Sequence, residues 1–248
     1  MNQVIAITSE GYYHCLNPFM YLFDKYFFNN KRDLRAGYDL VICGFKHPEQ
    51  SVAYSSYGWR WHTIGDQADY PATRWSDKLM HVLENVAAEQ FVLLLEDYWL
   101  YRHVDRNAVN MLFDYCRQFK NVLKIDLAWD RLYVHGGSGY LYGNNTYGNV
   151  SYLDLVKSPP GADYQMSLWG GLWNREVMKK FIVPGERAQE IEMYGTHRVN
   201  QRYEDVLVLG TRQGPLLHTN VYKSGLDGPT YDRIGSDDLE RMKQQRWI

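Results

Sequence analysis

Glu96 and Asp97 are adjacent carboxylates at the end of the most apolar stretch of the chain, QFVLLLEDYWLY at residues 90–101. Residues 91–95 are apolar without a break, too few to cross a membrane and too uniform for a half-exposed strand. Such a run fits a central strand covered on both faces. Ligands of open α/β sheets gather at the carboxyl ends of the strands, so this strand delivers two acids to the place where a ligand would sit. Their oxygens can hold a divalent cation whose other positions go to substrate phosphates. Arg74, Asp77 and Lys78 open a helix just before this strand. A helix N-terminus beside strand ends suits a diphosphate, although charges in a first turn are equally often just solvated.

The elements that must position these groups follow from periodicity. Residues 4–8 form a short buried strand ending in Thr8-Ser9-Glu10-Gly11. Asn17-Pro18 starts a helix, with Asn17 as N-cap, and Phe19, Leu22, Phe23, Tyr26 and Phe27 form its core stripe up to Asn29-Asn30. A second strand at 39–45 completes a right-handed βαβ unit, and residues 60–65 allow a third strand. Beyond the acidic strand, Asp105 caps a helix and residues 121–127 read as a strand. Residues 128–162 lose all helical period and turn rich in Gly, Tyr and Asn, the pattern of an irregular excursion beside a site, with room for a hairpin. Residues 164–173 alternate like a strand leading into a helix capped by Asn174, and Pro184-Gly185 stops that helix. A short helix at 186–193, late strands at 206–209 and 216–225, and a polar helix at 236–246 complete the chain. The expectation is an α/β fold, a single domain over residues 1–248 with a mostly parallel central sheet flanked by helices.

Composition narrows the function classes. Twenty-seven basic against 29 acidic residues give a net charge of −2, without a global pull toward nucleic acid or anionic membrane. Three scattered cysteines with no C-x-x-C spacing indicate neither a disulfide framework nor a zinc site. No apolar run reaches membrane length and no signal peptide is visible, so a soluble, cytoplasmic protein without an obligate protein partner is expected. The 21 Tyr, 9 Phe and 8 Trp supply core, and also flat surfaces on which sugars or bases stack.

The apolar strand ending in Glu96-Asp97, the helix before it, the stretch from Tyr164 to Trp173, the Pro-Gly turn and Glu192 followed by Gly195-Thr196 occur in an order that resembles GT-A-type nucleotide-sugar glycosyltransferases, bacterial and phage members in particular. The resemblance implies a Rossmann-like GT-A domain, a UDP-sugar donor and a Mn²⁺ or Mg²⁺ ion. It places Thr8, Ser9 and Glu10 at the nucleoside, and Asp66, Arg74 and Lys78 near base, ribose or diphosphate. It makes Glu96 and Asp97 the first acids of the metal motif, with Tyr98 where a further Asp is often found, which leaves metal dependence open. His218 would be a late metal ligand beside Asp97, or a satisfied strand-end histidine, and Lys223 a phosphate partner. Gly170-Gly171 would let the donor sugar approach the backbone, flanked by Trp169 and Trp173. For an inverting reaction Glu192 is the expected base, Glu190 the next candidate, with His197 and Arg198 on diphosphate or acceptor.

The acceptor implied is a saccharide or lipid-linked glycan, or the hydroxymethyl group of modified cytosine in DNA, gripped by Arg131, Tyr133, Tyr140, Tyr142 and Tyr147. A non-catalytic carbohydrate-binding protein would need only the aromatics. A nucleotidyltransferase would need a Gly/Lys phosphate loop, which is not seen, and a metal-dependent hydrolase would use the same two acids.

Overall fold

The computed structural model describes residues 1–48, 52–129, 146–223 and 227–248; Arg131, Tyr133, Tyr140 and Tyr142 fall outside them. Strand β1 (Asn2–Ile7), helix α1 (Leu16–Phe28) and strand β2 (Tyr38–Gly44) form the expected parallel βαβ unit, and β3 (Arg60–Thr63) adds to its edge. Helix α2 (Trp75–Asn85) leads to β4 (Gln90–Leu95), which lies parallel to β1 on its other side. Next come β5 (Tyr98–Leu100), α3 (Arg106–Gln118) and β6 (Val122–Asp126). A hairpin of β7 (Thr146–Val150) and β8 (Leu153–Lys157) precedes β9 (Gly171–Asn174), α4 (Arg175–Lys179) and α5 (Ala188–Gln201). Strands β10 (Leu207–Thr211) and β11 (His218–Asn220) and helix α6 (Ser236–Gln244) finish the fold.

Among the described residues nine strands form one sheet in the order β3-β2-β1-β4-β9-β6-β10-β8-β7, while β11 pairs with β5 in a separate ribbon. The sheet is mostly parallel: among the described strands, only β9 and β8 run against the others. Its apolar strands are explained by two cores. Val4, Ala6, Leu40, Ile42, Val92 and Leu94 face α1 and α3, while Ile5, Ile7, Val41, Cys43, Phe91 and Leu93 face α2, α4 and α5. A strand buried on both faces has no position for a polar residue. The three cysteines are free and buried, and among the described residues no helix is long and apolar enough to cross a membrane.

Several boundaries differ from expectation. Asn17 lies inside α1, whose N-cap is Cys15, because a 3-10 helix at Glu10–Cys15 runs straight into it; the Asn17 side chain accepts instead from the Ala53 amide at 3.2 Å. Of the expected strand at 164–173, only β9 is extended. Its forerunner is a turn in which successive backbone amides bond to side chains. Met166 N–H donates to Thr196 Oγ1 (3.0 Å), Leu168 N–H to Glu192 Oε1 (2.7 Å), Trp169 N–H to Ser167 Oγ (3.2 Å) and Gly170 N–H to His218 Nε2 (3.2 Å). With its donors satisfied in this way, the segment has no need of a sheet neighbour. Helix α5 does not end at Tyr194-Gly195 but continues to Gln201. Gly195 serves contact rather than termination, since a Cβ there would lie 3.0 Å from Met166 Cγ.

Candidate functional site

The parallel register levels the ends of three strands. Ile7 lies opposite both Cys43 and Leu95, so Thr8-Ser9, Phe45 and Glu96-Asp97 emerge side by side. A cavity of about 340 Å³ opens there, within the range of small-molecule sites. Its floor is made by Ile7, Ser9, Leu95, Glu96 and Asp97, and its walls by Tyr12, Phe45, Tyr70 and Trp75. Gln67 and Lys78 also line it. Gln67 Oε1 accepts from Glu10 N–H at 2.7 Å, tying the loop after β3 to the end of β1.

Electrostatically this cavity is unfinished. Burial pushes the Glu96 carboxyl well above the usual range, the Asp97 carboxylate pushes it further, and Lys78 with the Ser9 amide opposes. Burial also raises Asp97, to about 6. The Lys78 ammonium is depressed by burial and supported by Glu96; it sits 5.0 Å from the Trp75 ring centroid and 5.8 Å from that of Phe45. Two desolvated acids thus face one desolvated base, a deficit of positive charge that a bound cation would relieve. Among the described residues no group of three His, Cys, Asp or Glu side chains could hold a metal. Paired carboxylates nevertheless fit a hard divalent ion whose remaining ligands are phosphate oxygens.

The structure brings Ser9, Lys78, Glu96 and Asp97 together and places the other expected residues elsewhere. Thr8 is buried, with Oγ1 donating to Ser9 O at 3.4 Å. Glu10 lies on the adjoining 3-10 turn. Asp66 caps a turn by accepting from Ala68 N–H at 3.0 Å. Arg74 pairs with Asp77 at 2.5 Å, and the Ser76 amide at the α2 N-terminus donates to Glu186 O at 2.9 Å, so that donor is not left for a diphosphate. Arg198 grips both Glu186 oxygens at 2.7 and 2.8 Å and donates to Phe181 O, which clamps the Pro184-Gly185 turn onto α5. His197 is exposed and bonded to Gln201 at 2.9 Å. Glu190 accepts from the Arg187 amide at 2.9 Å and from its guanidinium at 2.8 Å at the start of α5, and Glu192 supports the 166–170 turn.

The space above the glycine pair belongs to this chain. A Cβ on Gly171 would lie 2.5 Å from Lys124 Cε, and one on Gly170 would lie 2.6 Å from His218 Nε2. Lys124 and Asp126 form a fully buried ion pair, and Lys124 Nζ also donates to Ser167 O at 2.6 Å and lies 4.9 Å from the Trp173 ring centroid. His218 stacks on Tyr98 (4.7 Å, 17°) and tilts against Trp169 (4.5 Å). Burial depresses its pKa to about 3, so the ring is neutral. Because Nε2 accepts from Gly170, the proton sits on Nδ1. His218 and Lys223 line a second cavity of about 560 Å³, with Trp129 and Trp169, rather than the cavity that holds Asp97. Tyr98, in the position of a third acid, turns into this aromatic stack.

Tyr12, Phe45, Gln67, Tyr70 and Trp75 were not foreseen as site residues. Phe45 and Tyr12 could have been, since each follows a strand end that the parallel register brings level with Glu96. Gln67 and Tyr70 carry no sequence signal, because their place depends on how the loop folds back.

No protein-family model and no curated protein sequence matches the chain. Among solved structures, a cytidylyltransferase from Leptospira borgpetersenii serovar Hardjo-bovis is similar at 9% identity and a TM-score of 0.45, covering 99% of this chain and 95% of that one. A UDP-glucose pyrophosphorylase complexed with UDP-glucose is similar at 8% identity and a TM-score of 0.45, over 88% and 92% of the two chains. Mouse xyloside xylosyltransferase 1 is similar at 10% identity and a TM-score of 0.37, over 82% and 76%. At such likeness nothing about donor, metal or acceptor passes from those proteins to this one.

Proposed function

We propose that the chain is a glycosyltransferase that takes its sugar from a nucleoside diphosphate sugar bound in the cavity beside Glu96 and Asp97. The observation that carries this reading is the desolvated acid pair with Lys78, at level parallel strand ends and beneath a wall of aromatic rings. The rings suit a base, stacked against Tyr12, Tyr70 or Trp75. Lys78 suits a phosphate oxygen, and the acids would hold Mn²⁺ or Mg²⁺ between protein and diphosphate. A divalent ion there would neutralise charge growing on the departing diphosphate. Ser9 and Gln67 supply polar contacts to the nucleoside. Asp97, less strongly raised than its neighbour, is the acid that ionises near neutral pH and is available to the reacting centre. Glu192 holds the Leu168 amide, so in this reading it supports the turn beneath Trp169 rather than taking the acceptor's proton.

Thermal-shift titration with a panel of UDP-, GDP-, CDP- and ADP-sugars, with and without Mn²⁺, tests the reading. One donor should stabilise the protein, more strongly with the ion, and Lys78→Ala should remove the shift. No shift with any donor refutes it. Incubating the matched donor with saccharides, hydroxymethylcytosine DNA and unmodified DNA then identifies the acceptor.

A further inference from the structure

The second cavity bears on what receives the sugar. Strand β11 lines it, and the chain then runs on to the rim of the first: Asn220 pairs with Tyr98, Val221 N–H donates to Asp97 O at 3.0 Å, and the Tyr222 ring packs edge-on against Tyr12 at 5.5 Å. Residues 220–222 therefore lead from the second cavity to the rim of the first, where Asp97 lies. Two indoles face the second cavity. Trp169 is held by the His218 and Tyr98 rings. Trp129 rests on the turn at Gly214 (φ +55°), where any Cβ would collide with the indole and where Gly214 N–H donates to Thr211 Oγ1 at 3.2 Å. Both rings are thus positioned before any ligand arrives.

Charge around this cavity is one-sided. Lys223 and Arg233 line it and, among the described residues, no carboxylate does. Lys223 has a loose ion pair with Asp232 at 3.7 Å, exposed on both sides; Arg233 has none among the described residues. Indoles stack on the apolar faces of sugar rings, and a guanidinium with an ammonium binds phosphate or carboxylate. We infer that the second cavity is an acceptor subsite selective for a saccharide bearing an anionic group, phosphate or carboxylate. This rests on the donor reading above. In the transfer the acceptor hydroxyl oxygen bonds to the anomeric carbon, and the bond from that carbon to the diphosphate oxygen breaks with its electron pair leaving on the diphosphate. The hydroxyl proton passes to a carboxylate of the first cavity.

Calorimetric titration of the full chain, with UDP present, would compare glucose, glucose 6-phosphate, glucuronic acid and a short single-stranded oligonucleotide. At least one of the two anionic sugars should bind about tenfold or more tightly than glucose, and which of them does so separates phosphate from carboxylate selectivity. The double variant Lys223→Ala/Arg233→Ala should abolish that preference, and Trp129→Ala should weaken every sugar, while the donor-induced thermal shift stays unchanged. Equal binding of glucose, a preference that survives the double variant, no sugar binding, or binding of the oligonucleotide alone overturns the inference. A lost donor shift in the unaltered protein would instead strike the donor reading, so the two failures are distinguishable.

Discussion

The sheet buries charge in two places and treats it differently. At Lys124 and Asp126 an acid and a base two residues apart on one strand face the same way, and Gly171 leaves room for the lysine stem to cross. Both are sealed from water and matched one to one. At Glu96, Asp97 and Lys78 the acids outnumber the base and a cavity opens onto them. A closed pair belongs to the architecture, whereas an unmatched cluster against a cavity is completed by something from outside. Charge balance, more than burial, separates the two.

The comparison breaks most sharply through the open cluster. Asp97→Ala should lower sugar transfer by about 10³-fold with no loss of thermal stability, measured by product formation and melting. Collapse of the fold would mean that this acid is structural after all. Lys124→Met should act the opposite way, destabilising by about 3–5 kcal/mol because Asp126 is left buried and unmatched. Urea titration measures it, and Lys124→Met/Asp126→Leu should recover much of the loss. If the single variant is as stable as the parent, the pair is not sealed as described.

pH sharpens the contrast further. Asp97 is raised in the fold to about 6, so the folded protein holds that proton more tightly than the unfolded chain and loses stability as pH rises from about 4 to 6. The melting temperature of Asp97→Asn minus that of the parent should therefore grow over that window, and Mn²⁺ with the matched nucleotide should narrow the gap by stabilising the parent. A difference flat with pH contradicts the assignment. A smaller effect is expected at Gly171→Ala, about 1–3 kcal/mol as Lys124 is forced aside. Smallest is His197→Ala, within about 0.5 kcal/mol of the parent and with donor binding unchanged, since that ring is bonded only to its own helix among the described residues.

How much of this could be read beforehand depends on distance along the chain. The strand ending in Glu96-Asp97, the βαβ unit and the Asp105 cap rest on neighbours a few residues apart, and periodicity finds them. Burial of Lys78 was hidden, because a lysine in a first turn looks solvated until Trp75 and Phe45 close over it. The 166–170 turn resembled a strand by alternation, yet its amides go to Thr196, Glu192 and His218, partners tens of residues away. Gly170-Gly171 looked like a gap for a ligand for the same reason: what fills it comes from β6 and β11. The Lys124-Asp126 pair was within reach, since positions two apart on a strand share a face.

Strand β9 joins the sheet between β4 and β6, although roughly the whole middle of the chain separates it from the former. Until residues 171–174 arrive, β4 offers a bare hydrogen-bonding edge to anything nearby. During synthesis the first four strands can therefore assemble early, while the second half must dock late across a long loop closure. That interval is when the β4 edge of a nascent chain is open to mispairing with its neighbours.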